Sequence, residues 1–370
     1  MSTNQIPFES KDSKTQVSLE SFTTISVLGK GSYAKVLLVK KKDNDQLYAM
    51  KILKKKAVFE KHQERHVISE KEILSKMNNC PFLVRFYYSF QNEKKLFFVL
   101  EYCPGGELFN LIQSKGKLSE AQTRFYACQI VLALEALHKN DIVYRDLKPE
   151  NVLLDQEGYI KITDFGLSKT NVVQNDAKSI CGTPEYLAPE VVQMSKYGKP
   201  VDWWTLGCII FEMITGLPPF YKSNRKELFE GIKFENPKLP YNITNEAKLI
   251  ISQLLTKDPT KRLGYNGALE VRNHAWFTGV NWNYVLEKRY EPPFHVRLGN
   301  NMGIQNFDKM FTTADPESLE VQENHARFTN FSYNFESGFK GSKPENPKVQ
   351  VADSQKERTI QNEDPGMHIE

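Results

Sequence analysis

Tyr144-Arg145-Asp146-Leu147-Lys148-Pro149-Glu150-Asn151 is followed, thirteen residues on, by Asp164-Phe165-Gly166. These two stretches decide the reading of the chain. Asp146 can accept the proton of an attacking hydroxyl and orient its oxygen for in-line attack. Lys148 can neutralise charge on a transferring γ-phosphate. Asn151 and Asp164 offer hard oxygen ligands suited to Mg²⁺. Each residue alone would be unremarkable in a loop. In this order and spacing they supply what phosphoryl transfer requires.

The bulk composition narrows the setting. A chain of 370 residues has room for about two domain-sized cores, or one bilobal unit with tails. Hydrophobic and charged contents of 40% and 25% are ordinary for a globular protein. A net charge of +4 is too small at this length to argue for bulk nucleic-acid binding. Five scattered cysteines with no C-x-x-C pair fit a reducing compartment better than a disulfide framework. No apolar run approaches the roughly 20 residues of a membrane span. The polar N-terminus, without Gly at position 2, and the absence of a C-terminal prenylation cysteine give lipid anchoring no support. The expectation is a cytoplasmic or nuclear monomer.

Outward from the central loop the pattern has two halves. Residues 1–21 read as a flexible lead-in. From Phe22 the signals are strands: 25–28, 36–39, 47–53, 83–90 and 96–102, with one helix near Glu64–Met77. Past Cys103-Pro104-Gly105-Gly106 the periodicity is helical. Ser119 and Gln122 form a capping-box signal, and Phe125–His138 and Val201–Thr215 are apolar nearly all round, as in buried helices. Gly216 and Pro218-Pro219 stop the second of these. The fold class is α+β and bilobal, with a β-rich N-lobe over residues 22–102 and a helical C-lobe over 103–277. A tail follows over 278–336, and residues 337–370 read as disordered.

Three upstream features fit the same chemistry. Gly29-x-Gly31-x-x-Ala34 lies between two strands, so it suits a lid over phosphates. A dinucleotide fingerprint would instead open a helix. Lys51 is the one charge in Tyr48-Ala49-Met50-Lys51-Ile52-Leu53. It reads either as an edge-strand guard or as a cation reaching α- and β-phosphates beneath the lid. Glu70 shares a helix face with Val67, Ile73 or Leu74, and Met77. A carboxylate in an apolar stripe is costly unless paired, and Lys51 would pair it.

With these residues in place, positions 22–277 resemble a eukaryotic protein kinase catalytic domain. Ala188-Pro189-Glu190, Asp202 and Arg262 extend the likeness, Arg262 as the partner of Glu190. Tyr144 stands where histidine is more usual, and Ala34 where a third glycine is. Lys148 and Thr183 resemble serine/threonine kinases, with Thr183 holding Asp146 and Lys148 in place. The resemblance implies ATP and Mg²⁺ as cofactors. It places Leu28, Gly29, Lys30, Gly31, Ser32, Tyr33, Ala34, Val36, Ala49, Lys51, Leu100, Glu101, Cys103, Glu107, Leu153 and Thr163 around the nucleotide. Cys181–Glu190 and Lys261–Gly264 resemble the AGC group, most closely the serum- and glucocorticoid-regulated and protein kinase B type. Asn306-Phe307-Asp308 and Phe328-Thr329-Asn330-Phe331-Ser332-Tyr333 match that group's tail and hydrophobic motif.

The same resemblance implies regulation and specificity. Ser179 is the expected activation-loop phosphosite, facing Arg145, Lys169 and His66. Ser332 is expected as the hydrophobic-motif phosphosite, Phe328 and Phe331 docking beside the Glu70 helix, and Ser318 as a turn-motif site. Glu107, Glu150 and Glu230 are expected to meet arginines upstream of the phosphoacceptor. An upstream activating kinase is expected to dock on the hydrophobic motif. The rival readings are a cAMP-dependent-kinase-like catalytic subunit, a pseudokinase scaffold and a nucleotide sensor. The scaffold sits poorly with the joint presence of Lys51, Asp146, Asn151 and Asp164. The sensor leaves Lys148 and Thr183 unexplained.

Overall fold

The computed structural model describes residues 17–31, 34–170, 181–296, 298, 302–313, 328–329 and 331–335. Ser32, Tyr33, Ser179 and Ser318 lie outside them, as do most of the lead-in and residues 336–370.

The first half builds an antiparallel sheet. β1 (Phe22–Lys30), β2 (Ala34–Lys41) and β3 (Leu47–Lys54) form a meander, followed by α1 (Lys55–Glu60) and α2 (Glu64–Lys76). β4 (Phe86–Gln91) and β5 (Lys95–Glu101) complete the local strands. The sheet order is β1-β2-β3-β5-β4, with a further strand from the end of the chain, β8 (Tyr333–Asn334), against β4. Alternation along β3 separates two faces. Tyr48, Met50 and Ile52 join an outer aromatic layer with Phe22, Phe90 and Phe97, while Leu53 and Ala49 face the main core. Phe311, in the short α11 (Lys309–Thr312), packs on the outer layer, and Ser26 Oγ donates to the Thr312 carbonyl at 3.3 Å.

Two details depart from the sequence reading. The strand expected from Leu83 begins at Phe86 instead. Residues 82–84 pair across to the other lobe, Val84 N–H donating to Ile162 O and Ile162 N–H to Phe82 O, both at 2.9 Å. The backbone hydrogen bonds of that stretch therefore tie the lobes together. The one helix expected here, near Glu64–Met77, is preceded by a second, α1, which Lys55 and Lys56 open and whose Val58 is fully buried.

The second half is helical: α3 (Leu108–Lys115), α4 (Glu120–Lys139), α5 (Pro189–Val192), α6 (Pro200–Thr215), α7 (Arg225–Phe234), α8 (Asn245–Leu254), α9 (Ala268–Arg272) and α10 (Trp282–Leu286). The short hairpin β6 (Val152–Leu154) and β7 (Ile160–Ile162) sits between α4 and α5. The Ser119–Gln122 capping box is formed at the start of α4. Every α6 residue but Thr215 is buried. Gly216 ends α6 in the left-handed conformation at φ 91°, its N–H on Glu212 O, and a Cβ there would meet the Gly116 carbonyl at 2.3 Å. The expected Glu190–Arg262 pair is buried and bidentate at 2.7 and 2.9 Å, and Arg262 also donates to the carbonyls of Pro200, Thr256 and Lys257.

Candidate active site

The central loop is held from beneath by α6. Asp202, fully buried, accepts from the backbone N–H groups of Tyr144 and Arg145 at 2.9 Å each and meets His138 Nε2 at 2.7 Å. Arg145 and Asp164 adopt left-handed φ values of 71° and 58°, sparsely populated for such residues. Tyr144 bridges the two halves of the site, its hydroxyl donating to the Thr163 carbonyl and its ring meeting Phe165 edge-on at 5.4 Å.

That scaffold gathers the candidate catalytic groups. Asn151 Nδ2 donates to both the carbonyl and Oδ2 of Asp146 at 2.9 Å. Lys148 Nζ donates to Thr183 Oγ1 at 2.8 Å and lies 3.3 Å from Asp146 Oδ2, and Thr183 Oγ1 donates to Asp146 Oδ1 at 3.3 Å. Burial pushes the Asp146 carboxyl up, with Lys148 and Asn151 partly offsetting it. On the upper side, Lys51 Nζ lies 2.6 Å from Glu70 and 3.0 Å from Asp164. Burial opposes the Lys51 ammonium, but Asp164 and Glu70 outweigh it and hold the charge. Lys51 in turn keeps the Asp164 carboxyl below its usual range. Burial pushes Glu70 above its own range, with Lys51 pulling back.

Asn151 and Asp164 suit a hard cation by donor type. The Asn151 amide nitrogen is engaged with Asp146, leaving Oδ1 as an acceptor, and the Asp164 carboxylate is half exposed. Oxygen donors of this kind match Mg²⁺, which keeps much of its shell for water and phosphate.

Of the expected nucleotide contacts, Leu28, Gly29, Val36, Ala49, Lys51, Leu100, Glu101, Cys103, Glu107, Leu153 and Thr163 line one cleft between the lobes, with Glu150, Asn151 and Asp164. Lys30 and Gly31 are exposed at the hairpin tip, where Gly31 N–H donates to Ala34 O at 2.8 Å. Val84 and Phe307 also line the cleft. Phe307 comes from the tail, stacked on Tyr102 at 6.0 Å, with Asn306 Nδ2 on the Pro104 carbonyl at 2.7 Å. The sequence marked Asn306-Phe307-Asp308 as a tail feature without placing its ring in the cleft wall. A larger cavity of about 340 Å³ lies behind α4, but the perturbed carboxylates gather at the smaller cleft.

The acidic residues divide. Burial, then Glu150 and Asp308, push the Glu107 carboxyl up to about 7, Lys148 acting the other way. Glu230 is not part of this group. It is exposed on α7 and paired with Lys233 one turn on. The carboxylate that shares the Glu150 field is Glu212, buried in α6 and accepting from Tyr186 Oη at 2.6 Å. Burial first, with Glu150 and Glu185, raises Glu212 to about 7 against that hydrogen bond. Like Glu70, it is a glutamate among buried side chains and is satisfied by a specific partner.

The tail is docked. Phe328 and Phe331 are buried, Phe328 against Phe59 of α1 at 5.5 Å and Phe331 against Phe98 at 5.3 Å. Gln91 exchanges hydrogen bonds with the Phe328 backbone at 2.6 and 3.0 Å, and Ser89 Oγ donates to Phe331 O at 2.5 Å. Ser332 is exposed. Arg145 donates to Leu167 O and Tyr197 Oη, and His66 Nδ1 lies 2.7 Å from Gln63 Oε1.

Comparison with known proteins agrees with this geometry. The protein kinase domain family matches residues 22–277. The chain is 44% identical over 326 residues to serine/threonine-protein kinase Sgk1 of Homo sapiens, covering 84% of this chain and 76% of that one. It is 44% identical over 308 residues to serine/threonine-protein kinase YPK1 of Saccharomyces cerevisiae (83% and 45%). Against serine/threonine-protein kinase gad8 of Schizosaccharomyces pombe it is 42% identical over 326 residues (86% and 57%). The chain thus spans about half the length of the two yeast kinases. With a catalytic loop, a cleft and a docked aromatic tail of this build, the chain belongs to the protein kinase family and, within it, to the AGC group of serine/threonine kinases.

Proposed function

We propose that the chain transfers the γ-phosphate of ATP, with Mg²⁺, to serine or threonine hydroxyls of proteins carrying arginine upstream of the acceptor. The observation that carries this is the contact set joining Asp146, Lys148, Asn151 and Thr183 within 3.3 Å. Asp146 orients the acceptor hydroxyl and takes its proton as the acceptor oxygen bonds to the γ-phosphorus and the bond to the β–γ bridging oxygen breaks, releasing ADP. Lys148 balances charge on the moving phosphoryl group, and Thr183 fixes both side chains. Lys51, braced by Glu70, holds the α- and β-phosphates; Asn151 and Asp164 would hold the metal, whose charge screens the phosphate oxygens. The test is phosphate transfer to an arginine-rich serine peptide, with Asp164→Asn as the control.

Peptide specificity is assigned to Glu107, Glu150 and Glu230, the last exposed on α7. Glu107, raised to about 7, is largely neutral at pH 6 and ionised at pH 8. A raised carboxyl gains its charge only as pH rises through that value, so attraction for arginine strengthens upward. The ratio of kcat/KM for an arginine peptide over its citrulline analogue should rise several-fold from pH 6 to pH 8. A flat ratio, or one unchanged by Glu107→Gln, rejects the assignment.

Regulation is assigned to phosphates on Ser179 and Ser332. A dianion on Ser179 would add charge-assisted hydrogen bonds near Arg145. One on Ser332 would strengthen the docking of Phe328 and Phe331, and hence the Lys51–Glu70 pair. Removing residues 325–370 should lower activity far more than removing 337–370, and Ser179→Ala should abolish activation by an upstream kinase. Equal truncations, or full activation of Ser179→Ala, would refute this.

A further inference from the structure

Asn78 stands two residues beyond the end of α2, and its carboxamide is used almost completely. Oδ1 accepts from Phe86 N–H at 2.7 Å, and Nδ2 donates to Phe86 O at 2.8 Å. That two-pronged grip on one residue fixes which way the amide faces. The second Nδ2 hydrogen then reaches the Tyr333 hydroxyl at 3.1 Å. The Tyr333 ring lies flat on Phe86, centroids 4.5 Å apart and planes within 6°. Phe86 is fully buried, in one core cluster with Leu74 of α2, Tyr144 of the catalytic loop and Phe165.

We infer that Asn78 is the positioning residue through which the tail holds the C-terminal end of the Glu70 helix, with Tyr333 as its contact. This deepens the tail regulation proposed above and rests on it. The tail then grips α2 from both ends. Phe328 packs on Phe59 in α1, the helix that leads into α2, while Tyr333 meets Asn78 just past its last turn. A helix held at one end can pivot. Held at both, it keeps Glu70 facing Lys51. The two phenylalanines supply apolar area without direction; the Asn78 bond supplies direction, because its geometry is satisfied only in one tail register. The β8–β4 ladder, pairing Tyr333 with Ser89, sets that same register.

The test uses the full chain and label transfer to an arginine-rich serine peptide. Tyr333→Phe removes one hydroxyl and keeps the ring stack, so the protein folds as before. It should lower kcat about five-fold, the share of a single net hydrogen bond, with KM for the peptide unchanged. Asn78→Ala should cost more, because the Phe86 backbone loses its partners as well. In the Asn78→Ala background, Tyr333→Phe should have no further effect. Wild-type kcat in Tyr333→Phe, or two effects that multiply, overturns the inference. The full chain with Phe328→Ala and Phe331→Ala separates the two layers. If it transfers phosphate as fast as wild type, the tail regulation itself fails. If it is slowed while Tyr333→Phe is not, only the Asn78 assignment falls.

Discussion

Replacing Asp164 by asparagine should lower phosphate transfer to an arginine-rich serine peptide by about 10²–10³-fold, the scale of losing one preorganised charge at a reacting group. Asparagine nearly matches the shape of aspartate, so the change is one of charge. It removes the carboxylate proposed above to hold the metal and leaves Lys51, now 3.0 Å from a neutral amide, to be balanced by Glu70 alone. Two measurements on the same sample separate chemistry from folding: radiolabel transfer and the thermal unfolding midpoint. The expected result is lost transfer with a midpoint close to wild type. A scaffold without activity would show no transfer in the wild type either, and a variant retaining more than about a tenth of the activity would remove Asp164 from the machinery.

The second large effect is on stability. Arg262 is almost wholly buried, with five hydrogen bonds to Glu190 and the carbonyls of Pro200, Thr256 and Lys257. Arg262→Ala strands the Glu190 carboxylate away from water, and breaking such a pair costs about 3–5 kcal/mol. For a unit of this size that is a fall in melting temperature of roughly 10 °C. Replacing both partners, as in Arg262→Met with Glu190→Leu, should recover part of the loss because no buried charge is left over. Urea unfolding of the wild type and the two variants decides it. A double variant less stable than Arg262→Ala would mean that the pair is worth more than its desolvation cost.

Much of the site was legible because its residues are local. Asp146, Lys148 and Asn151 sit within six positions, so their spacing is nearly their geometry. Lys51 and Glu70 were readable for another reason: each is a charge in an apolar pattern, and such a charge needs a partner. What escaped was built by long-range contacts. Phe307 reaches the cleft only because the tail crosses the hinge, and nothing near it in sequence announces a pocket. Glu212, a glutamate among the buried side chains of α6, finds its partner in Tyr186, 26 positions away. The 82–84 stretch reads as strand by composition, but its hydrogen bonds go to the other lobe. Composition cannot say which partner a strand will find.

The docked tail also bears on how the protein is made. Ser89 and Phe331, hydrogen-bonded across the sheet, are 242 residues apart. A ribosome adding roughly 5–20 residues per second needs roughly 12–48 s to span that interval. During that time β4 is an edge strand without its neighbour, and the surfaces of Phe59, Phe86 and Phe98 that the tail covers face water. The first lobe to leave the ribosome is thus the last to be finished, and it waits as an aromatic, half-closed sheet. Chaperone demand during synthesis should therefore track the time to residue 335 rather than the emergence of the lobe itself.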